Sequence, residues 1–172
     1  MSFRDHAKRL RNLDCEMVGV TSDSVVSIVK WIQMEPKQGG TGGPVNFPII
    51  SDKNLDLAEM FGVKGSTGMP PRATFVLDKE RQARHVSVYP RVVARSVVEV
   101  LRSVQAVVEV DKKKEEGKDV AIPAGWEPGD EVIINTYQGR KDYYNTKKVD
   151  KTEEETVKVE VKKIQFSCCN II

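Results

Sequence analysis

The amino-acid sequence predicts an α/β or α+β protein, with helices packed on a mixed sheet. Val97, Val100, Leu101 and Val104 recur at three- and four-residue steps, which predicts an amphipathic helix over residues 92–110. The runs RATFVLD and ARHVSVYP alternate apolar and polar residues around the turn DKER, which predicts a hairpin. The glycine- and proline-rich stretch EPKQGGTGGP separates the earlier elements. The resulting order is α-β-α-β-α-β-β-α, which predicts helices layered on strands.

The remaining elements follow from local patterns. Apolar residues at helical spacing or in short runs predict helices over residues 3–13, 25–34 and 54–61 and strands over residues 15–20 and 47–52. Asp23 or Ser24 can accept the first free N–H groups of the second helix. Gly62 can end the third helix, because glycine readily adopts the left-handed conformation found at helix C-termini.

The composition changes after Asp111. The stretch DKKKEEGKD is charged enough to indicate a solvated linker, and IPAGWEPGDEVI is rich in proline and glycine. The following stretch KTEEETVKVEVKKIQF alternates around Val157, Val159 and Val161 and fits either an edge strand or a disordered tail. The sequence therefore predicts a core over residues 1–111 and an extended C-terminal arm with a charged extension over residues 112–172.

Length, charge and cysteine usage exclude several classes of protein. At 172 residues the chain is long enough to bury a core as one domain. Its net charge of +2 creates no strong field that would favour nucleic acid. No apolar run approaches the length of about 18 residues that a membrane span needs. Three cysteines, two of them adjacent, do not form a secreted disulfide framework, so we expect a soluble cytoplasmic protein.

Cys15 is the first candidate for a reactive thiol. A reactive cysteine needs a nearby cation or a helix N-terminus to stabilise its thiolate. Cys15 instead stands between Asp14 and Glu16, whose charges oppose ionisation. Free cysteine is also a common small apolar residue of protein interiors. We therefore interpret Cys15 as a buried structural residue.

Five motifs follow one another in an order that points to a known family. They are VGVTSDSVVSIVKWI, KQGGTGGPVNFPIISDKNLDLAEMFGV, RATFVLDKERQARHVSV, ARSVVEVLRSVQA and IPAGWEPGDEVI. Together they resemble the AhpC/TSA group of peroxiredoxins, the typical two-cysteine thiol peroxidases. The resemblance covers about residues 3–147. It implies a thioredoxin-like fold, reduction of a peroxide by a thiol, and a thioredoxin-type reductant.

The sequence departs from this family at the reacting cysteines. The family's nucleophile lies in a Pro-x-x-x-Thr-x-x-Cys segment, on the first turn of the helix that corresponds to residues 3–13. The 172 residues contain no such segment, and the family's N-terminal strands have no counterpart. The family's resolving cysteine would precede Pro123, where this chain has Ile122. We therefore expect an N-terminally truncated core without the peroxidatic cysteine.

The resemblance assigns roles to two arginines. Arg72 corresponds to the arginine that lowers the pKa of the family's thiol and hydrogen-bonds the peroxide, and a guanidinium suits both tasks. Arg95 corresponds to a second arginine that belongs to a network behind the site. We expect the strand that begins at Arg72 to lie beside the strand over residues 15–20, and the Arg72 guanidinium to lie near the first turn of the helix over residues 3–13. We also expect an acid close by, because two like charges need compensation.

Cys168 and Cys169 lie beyond the region of resemblance. A cysteine on a C-terminal arm can resolve a sulfenic acid by forming a disulfide, while the alternative is a pair of free thiols. Neither pattern nor resemblance indicates a metal or a cofactor.

The first functional hypothesis is a peroxiredoxin-like thiol peroxidase, acting on hydrogen peroxide or alkyl hydroperoxides and inactive as given. The alternative is a non-catalytic oligomerisation or holdase subunit. The expected partners are a peroxide, a thioredoxin-like reductant and further copies of the chain in a homodimer or higher homo-oligomer, through the edge strand ARHVSVYP.

Overall fold

The computed structural model describes residues 2–66 and 68–150. Its five α-helices are α1 Ser2–Arg11, α2 Val25–Gln33, α3 Asp56–Met60, α4 Val97–Glu115 and α5 Tyr137–Asp150, and a short 3-10 helix spans Pro36–Gln38. Its strands are β1 Gly19–Thr21, β2 Ile49–Ser51, β3 Arg72–Leu77, β4 Ala83–Tyr89, β5 Val120–Ala121 and β6 Ile133–Ile134. The predicted alternation around Val157 and the two cysteines Cys168 and Cys169 lie outside the described residues.

The strands form two-stranded units among the described residues. β1 pairs in parallel with β2, β3 pairs antiparallel with β4, and β5 pairs antiparallel with β6. The parallel and antiparallel pairs belong to separate sheets, so the mixed sheet that the sequence predicts is not formed among the described residues. The expectation that β3 pairs beside residues 15–20 is wrong for this part of the chain. Only Gly19 and Val20 of that stretch belong to β1, whose partner is β2, and β3 pairs with β4 alone.

Helix α4 differs from its prediction at both ends. It begins at Val97 because the Ser96 hydroxyl accepts the main-chain N–H of Glu99. It continues to Glu115, into the first part of the stretch over residues 111–119 that was predicted to be a linker. The lysines at 112, 113 and 114 lie in its last turn, where positive charge interacts favourably with the helix dipole. Charge density alone therefore gave the wrong structure for residues 111–115.

Helix α3 is held by a buried carboxylate. Asp52 follows β2 and is 7% exposed, and its two oxygens accept the N–H groups of Leu57 and Ala58 at 3.1 and 2.9 Å. A buried carboxylate needs such donors, and the first turn of a helix offers free ones. The helix is shorter than predicted, ending at Met60, and Gly62 follows with a φ of 68°. Glycine is suited to that left-handed position.

The best-buried apolar cluster joins α1, β3 and α4. It consists of Leu10, Val76, Leu101 and Val104, with Leu13, Cys15 and Met17 packed against it. Since alternate residues of a strand point to opposite faces, Arg72, Thr74 and Val76 share the face of β3 on which Val76 meets the helices. The opposite face carries Phe75, whose ring lies 4.8 Å from that of Phe61. α1 and α4 therefore cover the face of β3 that also carries Arg72.

No helix in the described part of the chain has the length and apolar character that crossing a bilayer requires.

Candidate active site

Arg72 stands at the first position of β3, opposite Tyr89 of β4. Its Nε donates to the main-chain oxygen of Arg91, 2.8 Å away, just beyond the end of β4. The rest of the guanidinium is exposed, and its two Nη groups have no protein partner among the described residues. The hydrogen bond through Nε therefore orients the fork while leaving its outer donors available.

Arg95 reaches back from the segment before α4 to the same strand. Its Nη1 donates to the carbonyl oxygen of Ala73 at 2.9 Å and lies 3.4 Å from Thr74 Oγ1. Its guanidinium carbon lies 5.1 Å from the centre of the Phe3 ring, in the first turn of α1. This is the geometry of a cation–π contact. Arg95 thus connects β3, the start of α4 and the first turn of α1.

Burial and a neighbouring like charge both act on the Arg95 guanidinium. The pKa of Arg95 is lowered, first by its burial and second by the charge of Arg72. Neither arginine forms an ion pair with a carboxylate in residues 2–66 or 68–150. The acid expected beside them is therefore not found in that part of the chain, whereas Arg84 and Arg102 are each paired.

Of the two arginines, Arg95 is the one that the structure shows in contact with α1. Phe3 is the residue touched, and it belongs to the first turn of the helix. The placement of Arg72 at the same turn stays a prediction.

Cys15 lacks the surroundings that would stabilise the thiolate of a nucleophilic cysteine. Its side chain is half-buried against the apolar cluster. Burial raises the pKa of its thiol, and the charges of Glu16 and Asp14 raise it further. Within the described residues, no cation acts in the opposite direction. This environment agrees with the structural role expected for Cys15.

Arg4, the residue after Phe3 in α1, contacts a loop over residues 35–43, and sequence reasoning missed this contact. Arg4 Nη1 donates to the carbonyl oxygen of Thr41 at 2.8 Å. Thr41 is 4% exposed, and its hydroxyl lies within hydrogen-bonding distance of the carbonyls of Ile32 and Gly43. The available signal was a threonine within a run of glycines, where a small polar side chain can bond the main chain.

The main chain at Gly40 lies too close to the end of α2 to leave room for a side chain. A Cβ built on Gly40 would lie 2.0 Å from the carbonyl oxygen of Met34. The N–H of Gly42 donates to that same oxygen at 2.9 Å, and Trp31 Nε1 donates to the carbonyl of Gly39 at 3.0 Å. The loop is therefore folded tightly onto the end of α2.

The described residues contain no group of three or more His, Cys, Asp or Glu side chains that could hold a metal ion. The groups that the structure does place in this region are the arginine donors of Arg72 and Arg95.

Comparison with known proteins identifies two matching family models. Residues 1–86 match the AhpC/TSA family, and residues 112–146 match the C-terminal domain of 1-Cys peroxiredoxin. Among curated proteins, Peroxiredoxin-2 of Rattus norvegicus is 36% identical over 146 residues, which cover 84% of this chain and 71% of that protein. The chloroplastic 2-Cys peroxiredoxin BAS1 of Hordeum vulgare is 34% identical over 144 residues, covering 83% and 66%.

Solved structures agree with the sequence matches. The reduced 2-Cys peroxiredoxin of Plasmodium vivax superposes with a TM-score of 0.76 at 21% identity, covering 84% of this chain and 72% of that one. The mitochondrial 2-Cys peroxiredoxin of Plasmodium falciparum gives a TM-score of 0.63 at 33% identity, covering 66% and 67%. The expected thioredoxin-like fold is thereby confirmed. With this fold, and with relatives above 30% identity matched over most of their length, the chain belongs to the AhpC/TSA family of peroxiredoxins.

Proposed function

We propose that this protein serves peroxiredoxin-type thiol peroxidase chemistry on hydrogen peroxide or alkyl hydroperoxides, with a thioredoxin-like protein as reductant. The observation that carries the proposal is the position of Arg95, which bonds the carbonyl of Ala73, the residue after Arg72 in β3, and contacts the Phe3 ring in the first turn of α1. Permanent positive charge at that position suits an ionised thiol and a peroxide oxygen that gains negative charge.

The reaction assigns a distinct task to each arginine. A thiolate attacks one peroxide oxygen, the O–O bond breaks, and the thiol becomes a sulfenic acid while the leaving oxygen takes up a proton. Arg72 would donate to the thiolate and to the leaving oxygen through its free Nη groups. Arg95 would position the start of β3 through its bond to the Ala73 carbonyl, and its charge would add to the local field.

A second thiol completes the cycle. It displaces water from the sulfenic acid and forms a disulfide, which the thioredoxin-like reductant then reduces. Cys168 and Cys169 are the proposed resolving candidates of this chain. Both lie outside the described residues.

The 172-residue chain by itself is proposed to turn over peroxide slowly. The sequence contains no Pro-x-x-x-Thr-x-x-Cys segment. Cys15, the cysteine that lies within the described residues, has a thiol with a raised pKa and has acidic neighbours. A slow chain would leave the alternative role, a non-catalytic oligomerisation or holdase subunit, as the principal one.

Assembly and location complete the proposal. The outer edge of β4 has no strand partner among the described residues, and Val86 and Val88 on β4 are about half exposed. Such an edge favours pairing with a second copy in a dimer. Residues 1–111 would act as the core and residues 112–172 as the arm, in the cytoplasm. Relatives of similar sequence include a chloroplastic form.

A thioredoxin-coupled peroxide assay tests the proposal in two arms. The chain alone should give little turnover, and robust turnover that disappears in Cys168→Ser or Cys169→Ser would contradict this. A chain extended before residue 1 by a Pro-x-x-x-Thr-x-x-Cys segment should gain turnover. Arg72→Met in the extended chain should lower kcat/KM by roughly 100-fold, as for the loss of one charge-stabilising donor. Arg9→Met, which removes an exposed charge from α1, is the matched control.

The holdase alternative has its own readout. Suppression of aggregation of a thermally unfolding client protein by the 172-residue chain, without any peroxide turnover, would favour it. An extended chain that stays inactive while remaining folded would contradict the peroxidase proposal.

A further inference from the structure

Strand β3 has the sequence of a strand that is buried on both faces. Its residues 73–77 are apolar apart from Thr74. A strand with one face in water alternates apolar and polar residues, whereas a near-continuous apolar run is typical of a strand covered on both faces. The structure covers one of them, because Val76 is 8% exposed in its cluster with α1 and α4. The sequence of β3 therefore predicts a cover for the second face as well.

The second face of the β3–β4 hairpin is apolar and largely open. Phe75 stands directly opposite Val86, and Ala73 stands opposite Val88. Opposite residues of an antiparallel pair share a face, so these four side chains lie together. Val86 and Val88 are each about half exposed, and Leu77 at the end of β3 is 44% exposed. The described residues therefore leave an apolar sheet face uncovered.

The edge of β3 that faces away from β4 is also open. It has no strand partner in residues 2–66 and 68–150. Alternate main-chain N–H and C=O groups of β3 point toward this edge. A two-stranded hairpin is marginally stable by itself, and a third strand adds both hydrogen bonds and apolar contacts. An open edge beside an open apolar face is thus a place for an added strand.

The chain itself contains a segment with the pattern of such a strand. Residues 156–161, TVKVEV, lie outside the described residues, and their three valines alternate with polar residues. In a strand the valines would share one face. Valine and threonine are also among the residues that fit strands best. The polar positions include Lys158 and Glu160, whose opposite charges leave the segment without net charge.

The segment is close enough along the chain to reach β3. Helix α5 ends at Asp150, so residues 151–155 form the connection. Five extended residues span up to about 17 Å, which exceeds the diameter of roughly 10 Å of one helix. One helix lies between the two ends of this path. α5 contacts β6, the partner strand β5 contacts α4, and α4 packs on β3.

We infer that residues 156–161 add to the free edge of β3 as a third strand of the same chain. The valines then extend the open face that carries Phe75, and main-chain groups of the segment pair with those of β3. Lys158 and Glu160 lie on the opposite side, where long side chains reach water past the sheet edge. The outer edge of β4 stays available for a second copy. This pairing goes beyond the proposed function, because it requires no reacting thiol and no turnover.

Residue-resolved amide hydrogen exchange, measured by NMR on the full 172-residue chain, tests this inference. We expect slow exchange for residues 157–161 and for the β3 amides that point away from β4. Val159→Pro removes one N–H of the added strand and blocks its pairing. The same β3 amides should then exchange at least roughly tenfold faster, because their hydrogen bonds open locally. The amides of Leu101 and Val104 in α4 should remain protected, which shows that the variant is folded.

A matched control separates the strand from a general effect of proline. Asn170→Pro places the same residue after the segment and should leave the exchange of β3 as in the parent. Val159→Lys keeps the N–H but puts a charge on the apolar face, and it should also speed the exchange of β3. Fast exchange of residues 157–161 in the parent, or unchanged β3 exchange in both Val159 variants, would overturn the inference. So would protection of the β3 edge that grows with protein concentration and survives Val159→Pro, because a second copy would then occupy it.

Discussion

Arg84 of β4 clamps Asp111 of α4 through two hydrogen bonds. Its Nη2 lies 2.9 Å from Asp111 Oδ1 and its Nη1 lies 3.2 Å from Asp111 Oδ2. The same Nη1 lies 3.4 Å from Asp78 Oδ2, at the turn between β3 and β4. One side chain therefore joins the hairpin turn, the edge strand and the later part of α4.

Loss of this clamp should lower stability. Arg84→Met is expected to reduce the free energy of unfolding by about 1 kcal/mol, at the upper end for a partly exposed ion pair because two carboxylates share the arginine. Urea unfolding measures the change. Lys79→Met breaks the fully exposed contact with Asp14 and should have no measurable effect. A double-mutant cycle with Asp111→Asn that shows no coupling would rule out the clamp.

Gly40 should tolerate no side chain. Gly40→Ala places a Cβ 2.0 Å from the Met34 carbonyl oxygen, so the loop must move away from α2. We expect the free energy of unfolding to fall by about 2 kcal/mol or more. Gly19→Ala is the control, because its Cβ meets the movable ring of Phe47 at 3.2 Å. Equal losses in the two variants would contradict the close-approach explanation.

The thiol of Cys15 should react slowly. In the double variant Cys168→Ser/Cys169→Ser it is the remaining thiol of the chain, and burial raises its pKa above the ordinary value of 9.0. The folded variant should therefore be alkylated by iodoacetamide more slowly than the same variant unfolded in urea, across neutral and mildly alkaline pH. Faster reaction in the folded state would reverse the assignment of Cys15 as structural.

The same pKa shift has a consequence for stability. Folding raises the pKa of the Cys15 thiol. The stabilisation that comes from keeping this thiol neutral is therefore complete below the pKa that the thiol has in the unfolded chain. It is lost as the pH rises through the higher pKa of the folded chain. Cys15→Ala should weaken this loss of stability at alkaline pH.

The edge of β4 should decide the oligomeric state. Val88 is 52% exposed on that strand, and Val88→Lys adds a charge of the kind that blunts strand edges. Light scattering at micromolar concentration should show a dimer for the parent and a monomer for the variant. Val98→Lys, on an exposed face of α4, should remain a dimer. A monomeric parent would contradict the pairing proposal.

The two tryptophans should report different parts of the chain. Trp126 is 3% exposed, and its Nε1 donates to the carbonyl of Asp130 at 3.1 Å, whereas Trp31 is 42% exposed. Acrylamide should therefore quench Trp31→Phe, which retains Trp126, much less than Trp126→Phe, which retains Trp31. Similar quenching of both variants would show that the segment around Trp126 does not pack as described.

Local patterns predict the hairpin well. The predicted runs over residues 72–78 and 83–90 agree with β3 and β4 to within one residue, because alternation and turn residues both act locally. The start of α4 is different. Val92 and Val93 continue the apolar spacing, yet Val92 is 94% exposed and the helix begins only after the Ser96 cap.

The candidate site is predictable only in part. The family resemblance, rather than any spacing, singled out Arg72 and Arg95. Their contacts join residues that are 19 and 22 positions apart, through the backbone carbonyls of Arg91 and Ala73. A carbonyl is present at every residue, so its use as an acceptor leaves no mark in the sequence. The contact between Arg4 and Thr41 is hidden for the same reason.

The continuity of α4 across residue 111 sets a condition on changes in chain length. Each residue of an α-helix turns the following chain by about 100°. One residue inserted between Leu101 and Asp111 would therefore rotate Asp111 away from Arg84 and change the direction in which the chain leaves the helix toward β5. Insertions and deletions among relatives should accordingly be concentrated in the connections outside this helix. There, a change in length does not rotate the arm relative to α4.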